Sequence, residues 1–281
     1  MPTKPHHGLS NPDSGTDIVF LHGWCGHADE VEPIRAAATG RVLPISWMPA
    51  PGSFDLDEWP LPEDRAPGAA EAVMRNFADG VMERVRRAIL DAGFAGATLV
   101  GHSLGGEMSC VLAADPALAT RRIALLDSSV PLMPERRDED LQKMITWVDR
   151  AASSGRLLAQ AGWIAEASSW IPDFFSLEDQ GPIRLGIERR FMFAPVVEAA
   201  MMIGGGVQWP ITESVTSPEC GKCEIHGLAG DPARMPVDGL RELRPDARVE
   251  TCTGTGHYPH LFAAERTREW LTDGPLRSTD G

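Results

Sequence analysis

The sequence predicts an α/β protein, a mostly parallel sheet flanked by helices with a helical insertion. Three observations carry that reading. Short apolar runs such as Asp17 to Leu21 (DIVFL) read as buried strands. They alternate with helical patterns of about ten residues or more, the rhythm of βαβ units in a sheet covered on both faces. That rhythm stops between Pro131 and Val215, where the pattern is helical throughout. At 281 residues the chain can bury a large core without disulfides or a structural metal.

In chain order, residues 1–16 hold Pro, Gly, Ser and His with no apolar core, so they read as a flexible leader and not as a secretory signal. DIVFL ends at His22-Gly23. Arg41 to Ser46 (RVLPIS) is a weaker strand, since it contains Pro44. Pro67 to Ala92 predicts a helix, with Val73, Phe77, Val81 and Val85 repeating every four residues and Gly93 as a cap. Ala97 to Gly101 is a strand, Leu104 to Ala114 a helix and Arg122 to Asp127 a strand. Further strands are expected at Cys223 to Leu228 and Ala247 to Cys252, and a last helix over Pro259 to Leu271. The expected division is therefore a core over 17–130 and 216–273, a helical cap over 131–215 and a tail over 274–281. The cap segment carries four of the eight tryptophans and four of the nine phenylalanines, as a lid over an apolar pocket would.

The charge balance is 26 − 40 = −14 with His neutral, and the pI is about 5.0. With no basic tract, nucleic-acid and anionic-membrane partners are not expected. No apolar run approaches the ~18 residues of a membrane span. The five cysteines are odd in number and dispersed, which points to reduced thiols in a cytoplasm. Cys220 and Cys223 form a C-x-x-C pair, but no second pair follows. Cys252 and His226 are the residues that could complete a site, and the expectation is no metal.

The chemistry centres on Gly101-His102-Ser103-Leu104-Gly105-Gly106, a G-x-S-x-G pattern between a predicted strand and a predicted helix. A sharp strand-to-helix turn lifts the serine oxygen above the carboxyl edge of the sheet, and small residues on either side let strand and helix approach. The serine needs a base. His257 lies in Gly254-Thr255-Gly256-His257 after the last strand, at the sheet edge where functional groups collect. His260 is the next candidate. The base needs an acid to fix its tautomer. Asp231 follows CEIHGL and is the first choice, giving the order Ser103, Asp231, His257; Asp127, at the end of RIALLD, is the alternative. An oxyanion hole would take the N–H groups of Leu104 and Trp24.

LHGW, GHSLGG, GDPARMP and GHYPHLFAAERTREWL together resemble the α/β-hydrolase superfamily over Asp17 to Leu271. The resemblance implies a Ser-His-Asp triad, a helical cap after the sixth strand, no cofactor, and hydrolysis of an ester, thioester or related acyl bond of a small apolar or aromatic substrate. Ser103 speaks against the dehalogenases and epoxide hydrolases of the fold, which attack with a carboxylate. Only about sixteen residues precede DIVFL, so the usual first hairpin is missing or vestigial. The turn from Gly227 to Asp231 is one residue longer than the usual acid turn, which keeps Asp127 open. Gly23-Trp24-Cys25 with His27 also resembles the cofactor-free ring-cleaving dioxygenases of the same fold. Those act on hydroxy-quinolones through a His-Asp base whose acid follows the sixth strand, and they do not need serine attack.

Overall fold

The computed structural model describes residues 16–128, 130, 134–175, 181–230 and 237–272. Six strands, β1 (Ile18–Leu21), β2 (Val42–Ile45), β3 (Thr98–His102), β4 (Arg122–Leu126), β5 (Glu224–Ala229) and β6 (Arg248–Thr251), form one sheet in the order β2-β1-β3-β4-β5-β6. Every pairing is parallel. Strand β1 thus lies inside the sheet, and the order reverses beside it. That switch point puts the loops after β1 and β3 side by side at the carboxyl edge.

The helices are α1 (Glu32–Arg35), α2 (Ala69–Asp91), α3 (Leu104–Ala113), α4 (Pro134–Ser154), α5 (Arg156–Trp170), α6 (Pro182–Phe193), α7 (Val196–Gly206), α8 (Ile211–Val215), α9 (Val237–Leu243), α10 (Pro259–Phe262) and α11 (Ala264–Thr272). Side chains alternate across the sheet as strand geometry requires. Val19 and Leu21 join a core with Val81, Val85, Leu99 and Met108, on the side of α2 and α3. Ile18 and Phe20 join the opposite core with Ile34, Val100, Leu126 and Trp270, on the side of α1 and α11. Burial on both faces is why these strands read as unbroken apolar runs.

Two helix boundaries differ from the sequence expectation. Helix α2 starts at Ala69, because Gly68 sits before it at φ +78° and interrupts the run from Pro67. Its other end closes as anticipated. Gly93 at φ +70° donates its N–H to Leu90 O, and Phe94 donates to Ile89 O, the paired bonds of a glycine-terminated helix. The last helix is broken at Ala263 (φ −132°, ψ 54°) into α10 and α11.

Helices α4 to α8 fill the chain between β4 and β5. They are not a detached lid. Helix α7 is buried along almost its whole length, and Gly204 and Gly205 bring it against Met74 and Ala78 of α2. A third apolar cluster joins Met144, Trp147, Trp163 and Phe191 of these helices to Met74 and Tyr258 of the sheet domain. Among the described residues no helix is long and apolar enough to cross a membrane.

Candidate active site

Three loops at the carboxyl edge of the sheet bring the candidate residues together. Ser103 stands between β3 and α3 at φ 51°, ψ −123°, a conformation that non-glycine residues rarely adopt. The turn is tight because its glycines are small. A Cβ on Gly105 would run into the carbonyls of Leu21 and His22, and one on Gly101 into the backbone of Gly105 and Gly106. Strain at Ser103 is the cost of that packing, and it sets the hydroxyl at the first turn of α3. The early N–H groups of a helix, Leu104 among them here, have no acceptor within it.

His257 is buried, and its Nδ1 lies 2.5 Å from Oδ2 of Asp127. Asp127 follows β4 at φ 45°, and its carboxylate is fully buried. The other carboxylate oxygen accepts the Gly230 N–H at 2.8 Å. With the Nδ1 proton held by Asp127, the neutral ring keeps its lone pair on Nε2, the tautomer a general base needs. Asp127, the alternative of the sequence reading, is thus the carboxylate that the described residues bring to His257. The first choice, Asp231, lies outside the described residues.

Ser103 and His257 open into one cavity of about 280 Å³, at the small end of ligand pockets. Leu104, Met144, Ile203 and Val207 contribute aliphatic wall. Trp24 forms an aromatic side: it stacks on Trp170 (6.1 Å between centroids) and meets Trp163 and Phe191 edge-on at 5.4 and 5.7 Å. The Trp24 indole N–H donates to Ala199 O at 3.1 Å, which ties the loop after β1 to α7. Glu107, Asp140, Lys143 and Asp173 add charged groups to the wall.

Two contributions escaped the sequence reading. Phe174, in the turn after α5, stacks on the His257 ring at 5.3 Å, and its carbonyl accepts the His257 N–H at 2.8 Å. The insertion thus holds His257 directly. His102, the variable residue of the G-x-S-x-G pattern, is buried with its Nε2 2.7 Å from the His257 carbonyl. That bond joins the serine turn to the histidine loop. His260 does not line the cavity; it is fully buried behind it, beside Glu30 and His102. His27 is half exposed and caps the turn Ala28–Val31, accepting the Asp29 N–H, so this histidine of the dioxygenase-like segment is not in the cavity. Cys220 and Cys223 sit in a turn leading into β5, and Cys223 Sγ donates to Thr120 O at 2.9 Å. All five cysteines are free and buried.

The buried histidines set an acid limit on the fold. Burial pushes His22, stacked on Trp47, down to about 4. Burial and the neighbouring His260 and His257 push His102 well below its ordinary value. Between about pH 6.5 and pH 4 the unfolded chain binds protons there that the native state refuses, so stability falls as pH falls. Unfolding free energies from urea titrations should decline through that window by up to about 1.4 kcal/mol per pH unit for each such group. A flat profile from neutrality to about pH 4.5 would contradict the assignment of these rings as neutral.

The profile of the alpha/beta hydrolase family matches residues 18–270. No curated protein sequence matches the chain. Among solved structures, a thermophilic esterase from Thermogutta terrifontis superposes with TM-score 0.63 at 17% identity, covering 91% of this chain and 88% of that one. The enol-lactonase from Burkholderia xenovorans LB400 gives 0.63 at 15%, covering 96% and 94%. MenH from S. aureus gives 0.62 at 16%, covering 93% and 94%. At such identities the likeness to these structures is one of fold.

Proposed function

We propose, from the premise that this chain belongs to the alpha/beta hydrolase family and is an enzyme of hydrolase type, that it cleaves an ester, thioester or related acyl bond of a small apolar or aromatic substrate. One observation carries the reading: a serine strained into a strand-to-helix turn shares a cavity with a histidine whose far nitrogen is held by a buried carboxylate. Ser103 attacks the acyl carbon. His257 accepts the serine proton on Nε2 and returns it to the leaving group. Asp127 holds the ring and stabilises the imidazolium. The Leu104 N–H, at the start of α3, and the Trp24 N–H receive the negative charge on the acyl oxygen. The Trp24, Trp163 and Phe191 rings favour a flat or apolar acyl group.

An alkyl fluorophosphonate should label the native protein at Ser103, seen as an adduct on the peptide holding that residue. Labelling should disappear in Ser103→Ala and drop sharply in His257→Ala. A folded wild type that stays unlabelled would count against a covalent mechanism.

A second reading is favoured by one specific feature, the position of the acid at the end of β4 together with the Trp24 and Trp163 walls. That is the arrangement expected of the cofactor-free dioxygenases. There His257 would take the proton of a ring hydroxyl, and the electron-rich anion would react with O₂. The exposed position of His27 weighs on the other side.

A further inference from the structure

Behind the serine turn lies a group of side chains that the reaction above does not use. Glu30, His102 and His260 are buried to 3%, 1% and 0% exposure, and a donor atom from each lies within 4.8 Å of the others. Glu30 Oε2 is 3.9 Å from His102 Nδ1 and 3.6 Å from His260 Nε2. Glu30 Oε1 is occupied, by Arg190 of α6 at 2.7 Å and by the His27 N–H at 3.2 Å. Among the described residues, Glu30 Oε2, His102 Nδ1 and both nitrogens of His260 have no hydrogen-bond partner.

The bonding fixes what these atoms offer. His102 bonds a carbonyl through Nε2, so its proton is there and Nδ1 presents a lone pair. Glu30 Oε1 accepts from the Arg190 guanidinium and the His27 N–H, as an ionised carboxylate does, which leaves Oε2 with lone pairs to offer. A carboxylate oxygen and an imidazole lone pair therefore converge, with a second imidazole alongside. Acceptors that converge without a donor are expensive to bury. A proton on His260 does not resolve this. At 3.6 Å it is beyond a normal hydrogen bond to Glu30, and it leaves His102 Nδ1 unmet.

We propose that Glu30, His102 and His260 form a buried site for a divalent transition-metal ion, with zinc the best fit. Two imidazoles and one carboxylate are a zinc donor set that leaves the fourth tetrahedral position to a water, which here would be buried with the ion. Metal–ligand arms of about 2.0–2.1 Å put neighbouring donors of a tetrahedral site about 3.3 Å apart. The observed spacings close to that by small ring and carboxylate rotations. The ion would clamp the turn before α1, the serine turn and the start of α10 together, and through His102 it would brace the His257 loop. The site is sealed, so the ion enters during folding and leaves only when the protein opens. This role is structural and does not depend on which reaction the cavity performs.

The test unfolds the full chain in chelator and refolds it with and without Zn²⁺. Free metal is then removed, and bound zinc is measured by elemental analysis alongside the melting temperature. His6→Ala/His7→Ala is the background, which removes two adjacent histidines as competing zinc ligands. The expected result is about one zinc per chain and a higher melting temperature after refolding with metal. Co²⁺ in its place should give the visible absorption of a tetrahedral site with nitrogen and oxygen donors. His260→Gln and, separately, Glu30→Gln should reduce bound zinc at least tenfold. If one variant fails to fold, the other and the wild-type stoichiometry still decide. A refolded wild type that takes up no zinc would overturn the proposal and leave a water or a shared proton in the space. Zinc that persists in a folded variant would overturn it too, by placing the ion elsewhere, for example at Cys220 and Cys223.

Discussion

Asp127→Asn should lower turnover of a small chromogenic ester by about 10⁴-fold with little change in melting temperature. An asparagine has nearly the same shape, and its carbonyl oxygen can still accept the Gly230 N–H. Its NH₂ group then faces His257 Nδ1, where the aspartate oxygen stood at 2.5 Å. Two donors cannot share that contact, so the imidazole proton moves to Nε2, and the lone pair that should take the serine proton is lost. The imidazolium formed during attack also loses its counter-charge. Asp231→Asn should cost far less, because His257 has a single Nδ1 and Asp127 occupies it. The far-downfield proton resonance of a histidine–carboxylate bond should be present in the wild type and absent from Asp127→Asn alone. The reverse ranking of the two variants, with both folded, would return the acid to Asp231.

The acid shows where sequence reading stopped. The strands, their parallel pairing and the serine turn were legible because each leaves a local trace: an apolar run, a glycine after a helix, small residues flanking Ser103. His257 was legible from its glycine-rich loop after the last strand. The choice between two aspartates at neighbouring strand ends is not local. It depends on the Asp127 backbone at φ 45° and on the Gly230 amide, just past β5 and 103 residues away along the chain. The grip of Phe174 on His257 is likewise a contact between distant segments. The insertion was legible as helical and aromatic, but its attachment was not. Gly204 and Gly205 read as helix-weakening residues until α2 is seen lying against them. Glu30 gave no signal, because a charged residue in a loop normally reads as solvated surface, and His260 read only as a second candidate base. His102 read only as the free position of a motif.

Ser103→Ala should abolish ester hydrolysis, by several orders of magnitude in kcat, while leaving the fold and the Asp127–His257 bond in place. The same variant separates the two chemistries this cavity could hold. A hydrolase needs the serine oxygen to become bonded to the acyl carbon, so nothing replaces it except water at a far lower rate. A cofactor-free dioxygenase needs only the histidine to remove a proton from the ring hydroxyl, and there the serine can do no more than position the substrate. His257→Ala should therefore disable either enzyme, but Ser103→Ala only the first. Oxygen-electrode traces with hydroxy-quinolones, run with a chelator so that metal-dependent oxidation is suppressed, supply the second readout. A buried structural ion would survive that chelator in the folded protein, so the assay stays interpretable whatever occupies the space beside His102. The expected outcome is ester turnover that vanishes with Ser103 and no oxygen uptake by the wild type. Chelator-resistant uptake that persists in Ser103→Ala and stops in His257→Ala would make the enzyme a dioxygenase. The Asp127–His257 pair would then be its base, and the strained serine a substrate-positioning group.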